Sequence, residues 1–218
     1  MGKRGPKPKG KVNIRWSSNF AYAIGLLVSD GNLSPDGRHI VFVSKDKEQL
    51  LNFMTALRIR VLIGRVVSIS NLVKRVQFGD VLFYNFLLDI GLTPNKSKII
   101  GKIAIPTKFF FDFLRGTFDG DGCTYSYFDP RWQSSFMFYT TFVSASQRHI
   151  FWLREEIFKR LEIWGHITGG GKTVFQLKYA KADSLKLLRK MYYKKNVLSL
   201  SRKRLKIEEM LRIVGEQL

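Results

Sequence analysis

Cysteine is almost missing from this chain: Cys123 is the only one in 218 residues. No internal disulfide can form, which fits an intracellular, reducing compartment, either an organellar matrix or a microbial cytoplasm. Histidine is also scarce. His39, His149 and His166 have no cysteine partners and lack zinc-ligand spacing. No apolar run reaches membrane-spanning length, and the run Ala21 to Val28 is too short, so a membrane partner is not expected. The N-terminal MGKRGPKPKGK is basic, but no apolar segment follows it at once, as a secretory signal would require. Acidic residues are few: 17 Asp plus Glu stand against 37 Lys plus Arg, a formal net charge of +20. Such an excess repels itself in a compact state, and nucleic acid is the commonest polyanion that relieves it. Ribosomal proteins, histone-like proteins and binders of anionic membranes share this charge, so charge alone names no activity. What is present is a foldable chain. Hydrophobic content of 45% and aromatics at 14% exclude a disordered polycation and suffice for a core.

Residues 1–16 form a basic arm with Pro6, Pro8 and three glycines, which exclude a helix. The arm is either a solvated tail or an extension that lies along phosphates. Ser17, Ser18 and Asn19 are good N-cap residues for a helix from Phe20 to Ser29, ended by Asp30-Gly31. Leu33–Ser44 reads as a hairpin around Ser34-Pro35-Asp36-Gly37. A helix capped by Asp46 runs to Arg60. A second hairpin covers Arg65–Ser70 and Leu72–Phe78, and a helix over Val81–Ile90 closes at Gly91. The pattern then restarts: a helix over Lys108–Phe118, strands at Cys123–Phe128 and Phe136–Ser144, and a helix from Ser146 to Trp164. A hairpin through Gly169-Gly170-Gly171 with Thr173–Tyr179 follows, then helices over Ala182–Tyr193 and Leu205–Gly215.

The order helix, hairpin, helix, hairpin, helix therefore occurs twice. FVSKDKEQLLNFMTAL from Phe42 matches FVSASQRHIFWLREEI from Phe142, and LTPNKSKII from Leu92 matches LSLSRKRLKI from Leu198. The division is a first repeat at 17–98, a linker at 99–105 and a second repeat at 106–218.

Each repeat's first helix ends in Asp-Gly: AIGLLVSDG from Ala23 and LRGTFDGDG from Leu114. Asp and Gly are ordinary helix terminators, and a single copy would mean no more than that. Two copies at equivalent positions are harder to set aside. A carboxylate at a helix C-terminus faces the negative end of the dipole and four unpaired carbonyls, so something must compensate, and a hard divalent cation would. Gly25 and Gly116, at matching positions before Asp30 and Asp121, would let two helices cross closely and bring those carboxylates together.

The motif pair, the repeated helix–hairpin order and the basic charge resemble the LAGLIDADG homing endonucleases in their single-chain, two-motif form, from residue 17 onward. The resemblance implies an α+β fold of two pseudo-symmetric αββαββα repeats, with the motif helices packed at the centre and two antiparallel sheets forming a saddle on double-stranded DNA. It implies a monomer that cuts both strands, with Asp30 and Asp121 as catalytic metal ligands and the carbonyls of Ser29 and Gly120 as further ligands. The metal implied is Mg²⁺, with Mn²⁺ as a substitute and Ca²⁺ binding without supporting cleavage. The family often has a basic residue near each scissile phosphate, and Lys96 and Lys203 match that position, where they are either catalytic or general phosphate contacts. Val28 stands in the first motif where Asp119 stands in the second, and Thr117 replaces an apolar residue; neither change removes a catalytic carboxylate. Ser44 and Ser144 sit at matched strand ends and could order waters.

Base readout needs side chains that alternate on one sheet face. Arg75 and Gln77 alternate in the first repeat and Gln176 and Lys178 in the second, with Tyr139 and Thr141 as weaker candidates; the alternative is an ordinary solvated sheet face. Arg202 and Arg204 are expected at phosphates. A binding protein on the same scaffold that does not cut, such as an intron maturase or transcription regulator, is the competing reading, and a basic structural protein is a third.

Overall fold

The structure, a computed structural model, describes residues 10–65, 73–171 and 173–218. The arm at 1–9 and most of the strand expected over 65–70 lie outside the described residues.

Two motif helices form the centre. α1 (Ser18–Asp30) begins where the Ser17 hydroxyl accepts from the Phe20 N–H at 3.1 Å. It is apolar around its circumference from Phe20 to Val28 and buried throughout that stretch, as a helix covered on every side must be. Its counterpart α4 (Phe110–Asp121) follows a single 3-10 turn, Thr107–Phe109. Both helices run through their aspartates into extended glycines, Gly31 and Gly122.

Each motif helix leads into a four-stranded antiparallel sheet. The first contains β1 (Gly31–Leu33), β2 (His39–Ser44), β3 (Ile63–Arg65) and β4 (Lys74–Gly79), in the order β1-β2-β4-β3. The second contains β5 (Cys123–Asp129), β6 (Trp132–Ser144), β7 (His166–Gly169) and β8 (Phe175–Ala180), in the order β5-β6-β8-β7. The registers correspond, with Phe42 opposite Val76 in one sheet and Phe142 opposite Leu177 in the other. Those four side chains are fully buried under the helices. The alternate residues Arg75, Gln77, Gln176 and Lys178 therefore lie on the outer faces.

The remaining helices are α2 (Lys47–Leu57), α3 (Val81–Asp89), α5 (Gln147–Leu161), α6 (Lys181–Met191) and α7 (Ser201–Ile213). α2 packs Phe53 on Phe42 at a ring separation of 4.5 Å, and α5 sets Trp152 against Phe113 at 5.9 Å. α2 stops earlier than its apolar period suggests because Arg58 turns left-handed (φ 55°), and Glu162 (φ 54°) ends α5 likewise. Asp46 occupies the N-cap position of α2 but makes no capping bond; its carboxylate takes Arg202 at 2.8 Å instead.

Two differences between the halves bear on the site and the outer faces. Lys96 lies on a lone 3-10 turn (Lys96–Lys98), whereas its match Lys203 lies on the thirteen-residue α7. The β5–β6 hairpin is also much longer than β1–β2, because β6 starts at Trp132 rather than at the expected Phe136. The stretch 99–105 is pinned to both halves. Ala104 N–H donates to the Ile90 carbonyl at 2.9 Å, the Ser146 hydroxyl donates to the Ile100 carbonyl at 2.5 Å, and His149 Nδ1 lies 2.8 Å from the Gly101 carbonyl. Among the described residues no helix is long and apolar enough to cross a membrane.

Candidate nuclease centre and nucleic-acid interface

The crossing of α1 and α4 has no room for a side chain. A Cβ on Gly25 would stand 2.1 Å from the Phe113 carbonyl oxygen and 2.7 Å from the Thr117 nitrogen. A Cβ on Gly116 would stand 2.1 Å from the Tyr22 carbonyl oxygen. The backbones touch there, and five residues later the helices end together. A Cβ on Gly120 would meet the Ser29 hydroxyl at 1.8 Å and Asp30 Oδ2 at 3.0 Å, so the Asp30 carboxylate rests against the residue that precedes Asp121. Burial, and next the negative charge of Asp121, pushes the Asp30 carboxyl up to about 6, against the opposing pull of Lys203 and Lys96. Asp121, more open to solvent, is raised by desolvation and pulled back by the same two lysines.

The lysines occupy the helix ends. Lys96 Nζ donates to the Ser29 carbonyl at 3.1 Å. Lys203 Nζ donates to the carbonyls of Phe118 (2.7 Å), Gly120 (2.9 Å) and Gly122 (2.6 Å). An ammonium thus sits where a C-terminal helix dipole and a carboxylate both favour positive charge. Burial lowers Lys203 to about 8, and it lowers Lys96 as well, while the aspartates oppose the shift in each. Part of the compensation that the aspartates demand is supplied by these two side chains.

Asp119 does not reach the site. It is 1% exposed, and its Oδ2 accepts from the Tyr22 hydroxyl and from the Leu200 N–H, both at 2.7 Å. It thereby ties α4 to α1 and to the start of α7. Burial raises its carboxyl to about 6, with the bonds from Tyr22 and Leu200 resisting. Beside it, buried Arg115 bonds Asp112 and the carbonyls of Met191 and Leu198. Gln49 receives the Ser44 hydroxyl at 2.6 Å and donates to the Asp119 carbonyl at 3.1 Å, so Ser44 acts through a side chain on the end of α4. The Ser144 hydroxyl accepts from the Ser146 N–H at 3.1 Å. Sequence reading missed Tyr22, Gln49 and Arg115; only the match of Gln49 with His149 in the repeat hinted at one of them.

Two carboxylates, two carbonyls with a second lone pair each, and an open side compose an all-oxygen donor set. No cluster of three or more His, Cys, Asp or Glu forms among the described residues. A donor set of this kind suits a hard divalent cation that completes its shell with water and phosphate oxygens.

The other candidate residues stand apart from this centre. Arg75 and Gln77 are exposed on the outer face of the first sheet, and Gln176, Lys178 and Tyr139 are partly exposed on that of the second. Thr141 shares that face, yet it is 2% exposed and its hydroxyl has no protein partner, so it does not present a surface for base contact. Arg202 is engaged with Asp46, and Arg204 with Glu208 and the Lys195 carbonyl, so neither stands as a free cation.

This architecture is the two-repeat LAGLIDADG fold. Among solved structures, the chain is similar to full-length DUF199/WhiA from Thermatoga maritima, with 19% identity, a TM-score of 0.57 and coverage of 93% of this chain and 62% of that one. It therefore spans less than two thirds of full-length WhiA; the part shared includes the N-terminal LAGLIDADG domain of that protein (17% identity, TM-score 0.55, 87% and 90% covered). The meganuclease I-SmaMI bound to uncleaveable DNA matches at 12% identity and TM-score 0.61, covering 92% of this chain and 93% of that one. I-DmoI in complex with DNA and Ca matches at 11% identity and TM-score 0.57, covering 87% and 97%. These likenesses are of fold. No family profile and no curated protein sequence matches the chain.

Proposed function

We propose that the chain is a sequence-specific, metal-dependent endonuclease that cuts both strands of double-stranded DNA at a long asymmetric site, acting as a monomer. The observation that carries this reading is the meeting of Asp30 and Asp121 at the adjoining ends of two helices, against Lys96 and Lys203. Asp30 and Asp121 would hold Mg²⁺, or Mn²⁺ in its place, together with the carbonyls of Ser29 and Gly120. When bound, the metal supplies Lewis-acid polarisation of a phosphate and a water that is nucleophilic at neutral pH. Ca²⁺ is expected to bind without supporting cleavage; the Ca in the I-DmoI complex makes divalent binding on this fold concrete. Lys96 and Lys203 hold positive charge beside the carboxylates and offset the phosphate charge brought to them. The outer sheet faces, through Arg75, Gln77, Gln176 and Lys178, read base edges, while the +20 charge provides affinity that falls steeply with salt. The first repeat spans 17–98 and the second 106–218, so each half would serve one strand.

The test begins with a Mg²⁺-dependent cleavage selection on randomised DNA. Asp30→Asn and Asp121→Asn should each abolish double-strand cleavage of the selected site with little loss of binding. Undiminished cleavage in both variants removes the mechanism. A second reading, a DNA- or RNA-binding protein that does not cut, draws on the lysines already bonded to the Ser29 and Gly120 carbonyls. Selected binding sites that remain intact with both Mg²⁺ and Mn²⁺ would establish it.

A further inference from the structure

The outer face of the second sheet carries a feature with no counterpart on the first. Tyr125 and Tyr127 on β5 alternate with Thr124 and Ser126, and Tyr139 lies directly opposite Tyr125 on β6. The three rings stand nearly parallel: Tyr125 and Tyr139 are 4.8 Å apart at 7°, and Tyr127 and Tyr139 are 6.3 Å apart at 9°. Tyr125 is 38% exposed and Tyr127 42%, high values for large aromatics that have a core available to them. On the first sheet β1 ends at Leu33, before any such row could form.

A packed stack uses its ring faces internally, so a base could stack only at its ends, and the exposed part is a row of ring edges and hydroxyls. The row continues the outer face from Cys123, Thr141 and Lys178, which pair across the sheet, and runs along β5 away from Asp121. Its cross-strand neighbours are Met137 and Ala180, and the arginine at its far end, Arg131, holds its guanidinium on the Asp129 carboxylate at 3.0 Å. With that guanidinium engaged, the row offers no free cationic fork for the bidentate contact that reads guanine, whereas the aromatic edges suit the thymine methyl group. Aromatic edges that carry hydroxyls, on a sheet face continuous with Gln176 and Lys178, therefore match the floor of a major groove.

We infer that Tyr125, Tyr127 and Tyr139 form a thymine-reading row, which selects A·T pairs in the part of the target farther from the cut under the second sheet. The inference rests on the proposed reading of duplex DNA. The row adds these A·T pairs to the bases met by Gln176 and Lys178, and the first sheet, where β1 ends at Leu33, has no equivalent of it.

The test uses the full chain in Ca²⁺. A binding selection on randomised duplex DNA is expected to return a run of thymines in one half-site only. Replacing those thymines by uracil removes nothing but the methyl groups, and wild-type affinity should fall roughly fourfold per methyl contacted. Tyr125→Ala and Tyr127→Ala should each lose sensitivity to that replacement at their own base pairs, while Tyr125→Phe and Tyr127→Phe, which keep the ring edges and the fold, retain it. The uracil comparison on wild-type protein needs no variant to fold. If a specific site is selected but uracil and thymine bind equally there, the row does not read DNA, although the chain still does. If no sequence is selected at all, the reading of duplex DNA fails and this inference with it. A preference for single strands over duplex, lost in Tyr125→Ala but kept in Tyr125→Phe, would make the row a stacking platform and overturn the inference.

Discussion

Replacing Asp30 with Asn should stabilise the metal-free protein. The Asp30 carboxyl sits at about 6 in the folded chain against an ordinary 3.8, raised by burial and by Asp121. Below 3.8 the group is protonated whether the chain is folded or not, and its charge costs nothing. As the pH rises through 6 it is ionised in both states, and the folded state alone bears the cost of a half-buried charge beside a like charge. Stability is thus present at low pH and lost as the pH climbs through 6. Two pK units correspond to about 3 kcal/mol, and some access to water lowers the usable figure to about 2 kcal/mol. In a chain of this length that is roughly 4–8 °C of melting temperature. The assay is thermal melting of wild type and Asp30→Asn with chelator, at pH 8 and at pH 4. The difference between the two proteins, rather than either curve alone, is read, because buried His149, lowered to about 4, contributes its own pH dependence to both. The variant should melt higher at pH 8 and by a much smaller margin at pH 4, where the folded carboxyl is protonated, and Mg²⁺ should raise the wild type but not the variant. A variant no more stable than wild type at pH 8 would mean that Lys96 and Lys203 already neutralise the site and that no electrostatic strain awaits a cation.

Gly25→Ala places a methyl group 2.1 Å from the Phe113 carbonyl oxygen and must part the central helices, at a cost of roughly 1–3 kcal/mol by urea denaturation. Gly101→Ala, with nothing within 4 Å of its Cβ, is the control and should be nearly neutral; equal effects would refute the close crossing. Arg115→Leu strands Asp112 and the Met191 and Leu198 carbonyls, for an expected loss of about 3–5 kcal/mol in the same assay, and a loss under about 1 would show that the buried pair contributes little. Cys123, the only thiol, is exposed opposite Thr141 on the outer face next to Asp121. A bound duplex should protect it from alkylation, measured by mass spectrometry, and an unchanged rate would show that DNA does not cover that sheet.

The fold was legible because it is written twice. One Asp-Gly helix end is ordinary punctuation, but the recurrence of Gly25 and Asp30 as Gly116 and Asp121 marks a crossing that the backbone contacts display. What stayed hidden depended on distant partners. The demand for positive charge at the two aspartates was clear, yet that ammonium groups answer part of it at the Ser29 and Gly120 carbonyls required Lys96 and Lys203 to be placed in space. Asp119 looked like a variant of the motif, and its link to Tyr22 and Leu200 spans 97 and 81 positions. The strand from Trp132 to Phe136 was missed because a hairpin reaching past the core leaves residues such as Trp132 and Phe128 exposed, so hydrophobic alternation carries no signal there.

The stretch at 99–105, fastened to Ile90 on one side and to Ser146 and His149 on the other, holds each half to its own sibling. An assembly of two identical subunits must change both surfaces with every mutation. Joined in one polypeptide by a clamped seam, the halves are free to diverge separately, one toward a polar palm and the other toward an aromatic one.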